Sequence, residues 1–222
     1  MLVMFRLTAF LLTMPLLAAC GAIPQSRQEQ TVLRSTAVFS ARPDVQQCAA
    51  GLGRAAVRFT PLPDAYYGTG CSTLGAVRLT SLRSDEAQLS VSNIGAVTCP
   101  LAQTFADWAR YGVDRAAQQI LGSPLVRIET MGSYNCRTVS GTDRLSAHAT
   151  ANAIDVSGFV LADGRRITVT GNWSAGTAAE RRFLSVVHAS ACKRFGTVLG
   201  PAYNPAHSDH LHLELSGSSH CR

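Results

Sequence analysis

The chain has 222 residues, 46% of them hydrophobic and 15% charged, enough apolar material for a buried core in one or at most two domains, which excludes a disordered protein. Beyond residue 20 no apolar stretch approaches the ~20 residues that a spanning helix needs. The net charge of +6, carried by 19 arginines and the single Lys193 against 14 acidic residues, suits an anionic partner such as nucleic acid, a cell-wall polymer or a membrane surface. It also fits a surface that is basic merely for solubility.

The N-terminus places Arg6 before an apolar run from Leu7 to Leu17 and closes it with Leu17-Ala18-Ala19-Cys20. This is too short for a stop-transfer helix and is similar to a bacterial lipoprotein signal. The resemblance implies cleavage after residue 19 and acylation of Cys20. Gly21, where an Asp would favour the inner membrane, implies outer-membrane attachment facing the periplasm. Residues 20–44 are polar and aperiodic and are expected to form a tether, with one domain over 45–222. Once Cys20 is set aside, Cys48, Cys71, Cys99, Cys136, Cys192 and Cys221 remain. An even number in an oxidising compartment, without Cys-x-x-Cys spacing, predicts three disulfides, of which any of fifteen pairings is open.

Within the domain, partial alternation predicts a strand over 76–82 with 88–91 as its partner. Pro100 opens a helix with Leu101, Phe105, Trp108 and Gly112 on one face, continued by Ala116, Ile120 and Leu121 in a second or bent segment that ends at Gly122. Trp108 and Phe105 are expected in the core. Strands follow over 125–131 and 153–160, and Ala162-Asp163-Gly164 turns the latter into a hairpin with 166–170. A helix over 178–194 places Phe183, Val186, Val187, Ala191 and Cys192 along one stripe. The last strand, 210–215, alternates strictly, with leucines on one face and His210, His212 and Glu214 on the other. The class expected is α+β, a small antiparallel sheet with flanking helices.

Three of the six histidines crowd into His207-Ser208-Asp209-His210-Leu211-His212, and His148 lies seven positions before Asp155. Asp155 interrupts an apolar strand, where a lone carboxylate is costly and a cation would relieve it. Two imidazoles and one carboxylate with a fourth position left to water make a catalytic zinc set, as opposed to a closed structural one. His188 and His220 carry no such pattern. Ser146 lacks the Gly-x-Ser-x-Gly elbow of a serine hydrolase. There is no phosphate-binding glycine loop, and the arginines are scattered instead of interleaved with aromatics, so no nucleic-acid partner is expected.

Ser146-Ala147-His148-Ala149-Thr150-Ala151-Asn152-Ala153-Ile154-Asp155 resembles the Ser-x-His-x-x-Gly-x-Ala-x-Asp motif of the D-Ala-D-Ala metallopeptidases, and His210-Leu211-His212 resembles the His-x-His of lysostaphin and the murein endopeptidases. More closely, Cys99-Pro100-Leu101-Ala102, Ser133-Tyr134-Asn135-Cys136-Arg137, residues 145–159, Leu199-Gly200-Pro201-Ala202-Tyr203-Asn204 and residues 207–212 resemble the bacterial extensin-like C-terminal family. The name carries no plant extensin function. The resemblance implies the fold of those zinc peptidases, with Zn2+ held by His148, Asp155 and His212. It also implies His210 or Asp209 as the base for the attacking water, His207 at the oxyanion, and Arg137 near the scissile carbonyl. Position 151 departs from the broader motif, with Ala for Gly, and Asp209 stands where the D-Ala-D-Ala enzymes place a Glu. The implied activity is hydrolysis of peptidoglycan amides by an envelope lipoprotein. A binding or structural protein that keeps the fold without cutting is the alternative.

Overall fold

The computed structural model describes residues 40–222 apart from Thr69. The expected signal segment, Cys20 and most of the 20–44 tether lie outside the described residues. Among those described, no helix is long and apolar enough to cross a membrane.

Helix α1 (Pro43–Arg54) starts on a proline already fixed at a helical φ and buries Val45 and Leu52. Six strands follow: β1 (Arg58–Pro61), β2 (Tyr66–Tyr67), β3 (Cys71–Ser72), β4 (Ala76–Arg83), β5 (Gln88–Ser92) and β6 (Ala96–Thr98). The expected strands at 76–82 and 88–91 are β4 and β5, paired antiparallel with Leu82 opposite Leu89. β2 and β3 form a separate hairpin.

Helix α2 (Cys99–Asp107) continues, without a break in chain direction, into π-helical turns at Trp108–Asp114 and Ala117–Leu121. Gly122, at φ 70°, ends it. The wider turns keep Trp108, Val113, Ala117 and Leu121 buried where a strict 3.6-residue period would rotate some of them away. Gly112 has a packing reason, since a Cβ there would run into Ser190. Asp114, fully buried, accepts the Leu125 amide N–H at 2.8 Å and the Gln118 side-chain N–H at 2.9 Å, which makes its burial tolerable.

β7 (Leu125–Gly132) and β8 (Ala153–Leu161) come next, and β9 (Arg166–Thr168) closes the expected hairpin on β8. β9 stops short of residue 170 because Val169–Asn172 turns into the one-turn helix α3. Helix α4 (Ala178–Cys192) begins at a capping box. The Thr177 hydroxyl accepts the Glu180 N–H, and the Glu180 carboxylate accepts the Thr177 N–H. Its buried stripe is Phe183, Leu184, Val187 and Ala191. Val186, expected inside, is exposed. β10 (Thr197–Leu199), β11 (Leu211–Glu214) and β12 (His220–Cys221) complete the chain.

The fold is α+β, but its sheet is neither small nor wholly antiparallel. Ten strands run in the order β1-β4-β5-β7-β8-β11-β10-β12, with β6 added on β4 and β9 on β8. β5 and β7 are parallel, because the chain returns between them through the 99–121 helix, a crossover that reverses direction twice. β12 lies parallel to β10 at the edge. The inner face of the sheet, with Leu79, Leu89, Ile128, Ile154, Phe159 and Leu213, shares one core with Phe105, Trp108, Phe183 and Val187 from the helices. The Trp108 indole N–H reaches the Val187 carbonyl at 3.1 Å.

Three disulfides form, as expected, and the pairing is Cys48–Cys99, Cys71–Cys136 and Cys192–Cys221. The first ties α1 to α2. The second ties the β2–β3 hairpin to the segment before the His148 turn, and the third ties α4 to β12.

Candidate metal centre

β8 and β11 are antiparallel neighbours in a register that sets His212 directly opposite Asp155. Leu211 and Leu213 are fully buried in the core, so the pleat sends His212 to the other face. His148 arrives from the one-turn 3-10 helix Ala147–Thr150, started by the Ser146 hydroxyl, which accepts the His148 N–H. Ala151 ends that turn at φ 54°. Glycine would take this left-handed conformation freely, and alanine holds it at some strain.

The three side chains meet tightly. Asp155 Oδ2 lies 3.1 Å from His148 Nε2, Asp155 Oδ1 lies 2.9 Å from His212 Nδ1, and the two ring nitrogens are 3.2 Å apart. All three donor atoms fall within 4.8 Å of one another, a spacing that can hold a metal ion. Each imidazole is also fixed from behind. His148 Nδ1 donates to the Ser133 carbonyl at 2.7 Å, and His212 Nε2 faces the Glu214 carboxylate at 3.4 Å. These partners only accept, so the outward nitrogens carry the protons and the inward ones point bare lone pairs at each other and at a carboxylate. Such a set needs a positive charge at its centre. Without a metal a proton must supply it: burial opposes the charge on His212, but its bonds to Asp155 and Glu214 outweigh burial and raise its pKa to about 9. Burial likewise opposes the Asp155 charge and is outweighed by the two imidazoles, which hold its carboxyl below the usual carboxylate range.

Of the other expected site residues, His210 is largely buried and closest to the centre, with Nε2 3.6 Å from Asp155 Oδ1. Its Nδ1 donates to Asp209 Oδ1 at 2.7 Å. Asp209, about half exposed, is thus bound to His210, and the two candidate bases form one dyad with the imidazole innermost. His207 stacks 5.1 Å from the His210 ring and 6.0 Å from the His212 ring. Burial and the two neighbouring imidazoles lower its pKa to about 4. Its Nδ1 donates to Asn204 Oδ1 at 2.7 Å, which leaves Nε2 an acceptor, so stabilising an oxyanion would require the Asn204 amide to be turned over.

Arg137 is brought only to the neighbourhood. Its carbonyl accepts the Ser146 N–H, while its exposed guanidinium reaches the Thr138 carbonyl at 3.4 Å and makes no described contact with the histidines.

Sequence reasoning missed the partners behind the ligands. Glu214 was readable, since it shares a strand face with His212 at a spacing of two. The Ser133 carbonyl was not, because backbone groups leave no mark on residue identity.

A second trio, His188, Cys192 and Cys221, also brings its donor atoms within 4.8 Å of one another. Its sulfurs are joined in a disulfide.

No curated protein and no solved structure matches the chain. A family model, described as "Extensin-like protein C-terminus", matches residues 46–222, which include every strand, all three disulfides and the whole histidine cluster. The chain therefore belongs to the extensin-like protein C-terminal family.

Proposed function

We propose that the domain engages peptidoglycan and that its histidine-rich centre binds one zinc ion and hydrolyses an amide of the peptide crosslinks. The observation that carries this reading is the pair of back-bonded imidazoles converging on Asp155, with the Asp209-held His210 beside them. Bound zinc would supply Lewis acidity toward the scissile carbonyl and lower the pKa of water from ~15.7 towards ~7. His148, Asp155 and His212 would hold it. His210 Nε2 would take the proton from the attacking water, with Asp209 keeping the ring in the tautomer that leaves Nε2 free. We place the protein in the periplasm, anchored through an acylated Cys20. Kinship with the lysostaphin-type and D-Ala-D-Ala zinc peptidases is part of this proposal.

The second reading is a binder or structural protein of the envelope that holds peptidoglycan without cutting it. The family match carries no activity, and without a metal a proton on His212 supplies the positive charge that the three central side chains need. A candidate metal cluster in a family match without a catalytic motif favours this reading over the hydrolase.

Incubating zinc-loaded protein with intact peptidoglycan, followed by mass analysis of soluble fragments, separates them. The hydrolase releases muropeptides and is stopped by a chelator. His210→Ala should keep its zinc and lose ~10²- to 10⁴-fold in rate. Retention on peptidoglycan with no fragments released establishes the binder.

A further inference from the structure

Tyr203 sits in the turn that follows β10, closed by its own N–H on the Gly200 carbonyl at 2.9 Å. It remains 44% exposed although two imidazoles pack against it. His207 lies 5.4 Å away at 68°, and His220 lies 5.7 Å away at 84°. His220 is carried there by β12, which pairs with β10 and is tied to α4 through Cys192–Cys221. From the candidate ligand outward the rings therefore run His212, His207, Tyr203, and the last of them opens to solvent.

Tyr111 makes a useful contrast. It is equally exposed, at 41%, but Arg110 and Arg115 sit over its ring at 5.0 and 4.7 Å, so its surface is already used. No guanidinium covers Tyr203, and no ring lies parallel to it among the described residues. A braced ring that stays 44% exposed, one imidazole away from the candidate metal centre, has the form of a substrate platform.

We infer that Tyr203 stacks against a pyranose ring of the glycan, so that the domain takes glycan-attached peptides in preference to free ones. This rests on the peptidoglycan reading above. A pyranose presents polarised C–H bonds on its face, which suit the negative face of an aromatic ring, and hydroxyls around its rim. The surroundings of Tyr203 are correspondingly polar, with the His207 and His220 imidazoles against its ring and the Asn204 amide held by His207. An apolar peptide side chain would leave those groups unmatched.

The test measures binding without turnover, using the full chain in detergent against intact sacculi, against glycan strands stripped of their peptides, and against free stem peptides. Wild-type protein should bind sacculi and stripped strands. Tyr203→Ala should weaken both by roughly tenfold, about 1.4 kcal/mol, with zinc content unchanged, while Tyr203→Phe and Tyr203→Trp retain binding. Tyr203→Ala binding stripped strands like wild type overturns the inference, and so does a loss confined to free peptides, which would make the occupant a peptide side chain. Loss in Tyr203→Phe equal to that in Tyr203→Ala overturns it too, since the hydroxyl would then be the recognised group. If wild-type protein binds no sacculi at all, the peptidoglycan reading itself falls and takes the platform with it, an outcome distinct from sacculus binding that ignores Tyr203.

Discussion

Among the described residues, two places bring three metal-ligating side chains within 4.8 Å of one another, and in only one of the two are all three donor atoms unspent. Around His148, Asp155 and His212, every outward nitrogen is spent on an acceptor, and the inward atoms are lone pairs and a carboxylate. Around His188, Cys192 and Cys221, the sulfurs are joined to each other and offer no thiolate. His188 Nε2 donates to the Arg222 carbonyl at 3.2 Å, and burial lowers its pKa despite that bond. Proximity of donor types is the same in both; what differs is which atoms are left with electrons to give. The first is a site that asks for a cation, and the second is a staple with a histidine packed over it.

The largest effect should come from breaking each trio in turn. His148→Ala and His212→Ala should each abolish stoichiometric zinc binding in folded protein, and His188→Ala should leave one zinc per chain, measured by elemental analysis after dialysis. Zinc lost from His188→Ala and kept in the other two would reverse the comparison.

Removing disulfides sharpens it. Loop lengths of 65 and 29 residues give about 4 kcal/mol of stabilisation each for Cys71–Cys136 and Cys192–Cys221 in the chain-entropy account. Paired Ser substitutions should lower the denaturation midpoint similarly in both. Only the Cys71–Cys136 pair should also weaken zinc binding, because Cys136 lies three residues after Ser133, whose carbonyl orients His148.

The pH dependence of metal-free protein separates the two histidines by sign. His212, raised to about 9, adds stability that is fully present below its unfolded value of ~6.5 and is lost as pH rises through about 9, on the order of 3 kcal/mol at most. Asp155, held below the usual carboxylate range, contributes above about 4 and loses its part only in stronger acid. His188 is lowered, so its unfolded form binds the proton better and the fold loses stability as pH falls below ~6.5. Denaturant melts should therefore show the penalty of His212→Asn shrinking between pH 6 and 9.5, and His188→Asn gaining on wild type toward pH 5. Parallel curves for both variants would contradict these assignments.

The smallest effect belongs behind the ligand. Glu214→Gln should leave the fold intact and weaken zinc affinity by about 10- to 100-fold, the usual scale for a partner that orients a ligating imidazole. Competition with a chromogenic chelator reads this directly.

Much of this was legible in the sequence where local periodicity and side-chain chemistry coincide. Strict alternation at 210–215 places His212 across the pleat from Leu211 and Leu213, and Asp155 within an apolar strand marks a charge in need of a partner. The apolar stripe over 178–194 marked α4, which runs from Ala178 to Cys192. What escaped depended on distant context. β1, β6, β10 and β12 have two to four residues each, too few to show a period, and they exist because neighbouring strands of the main sheet offer an edge. The parallel pairing of β5 with β7 follows from the route of the intervening helix. Val186 faces water because α4 buries Leu184 in its place, a choice of helix rotation that several apolar neighbours left open.

The most direct test of the metal centre is zinc X-ray absorption on the zinc-loaded chain. The account predicts a shell of nitrogen and oxygen scatterers only, at about 2.0–2.2 Å, with two imidazoles, one carboxylate and an exchangeable water. A sulfur shell at about 2.3 Å, or no imidazole signature at all, would contradict it.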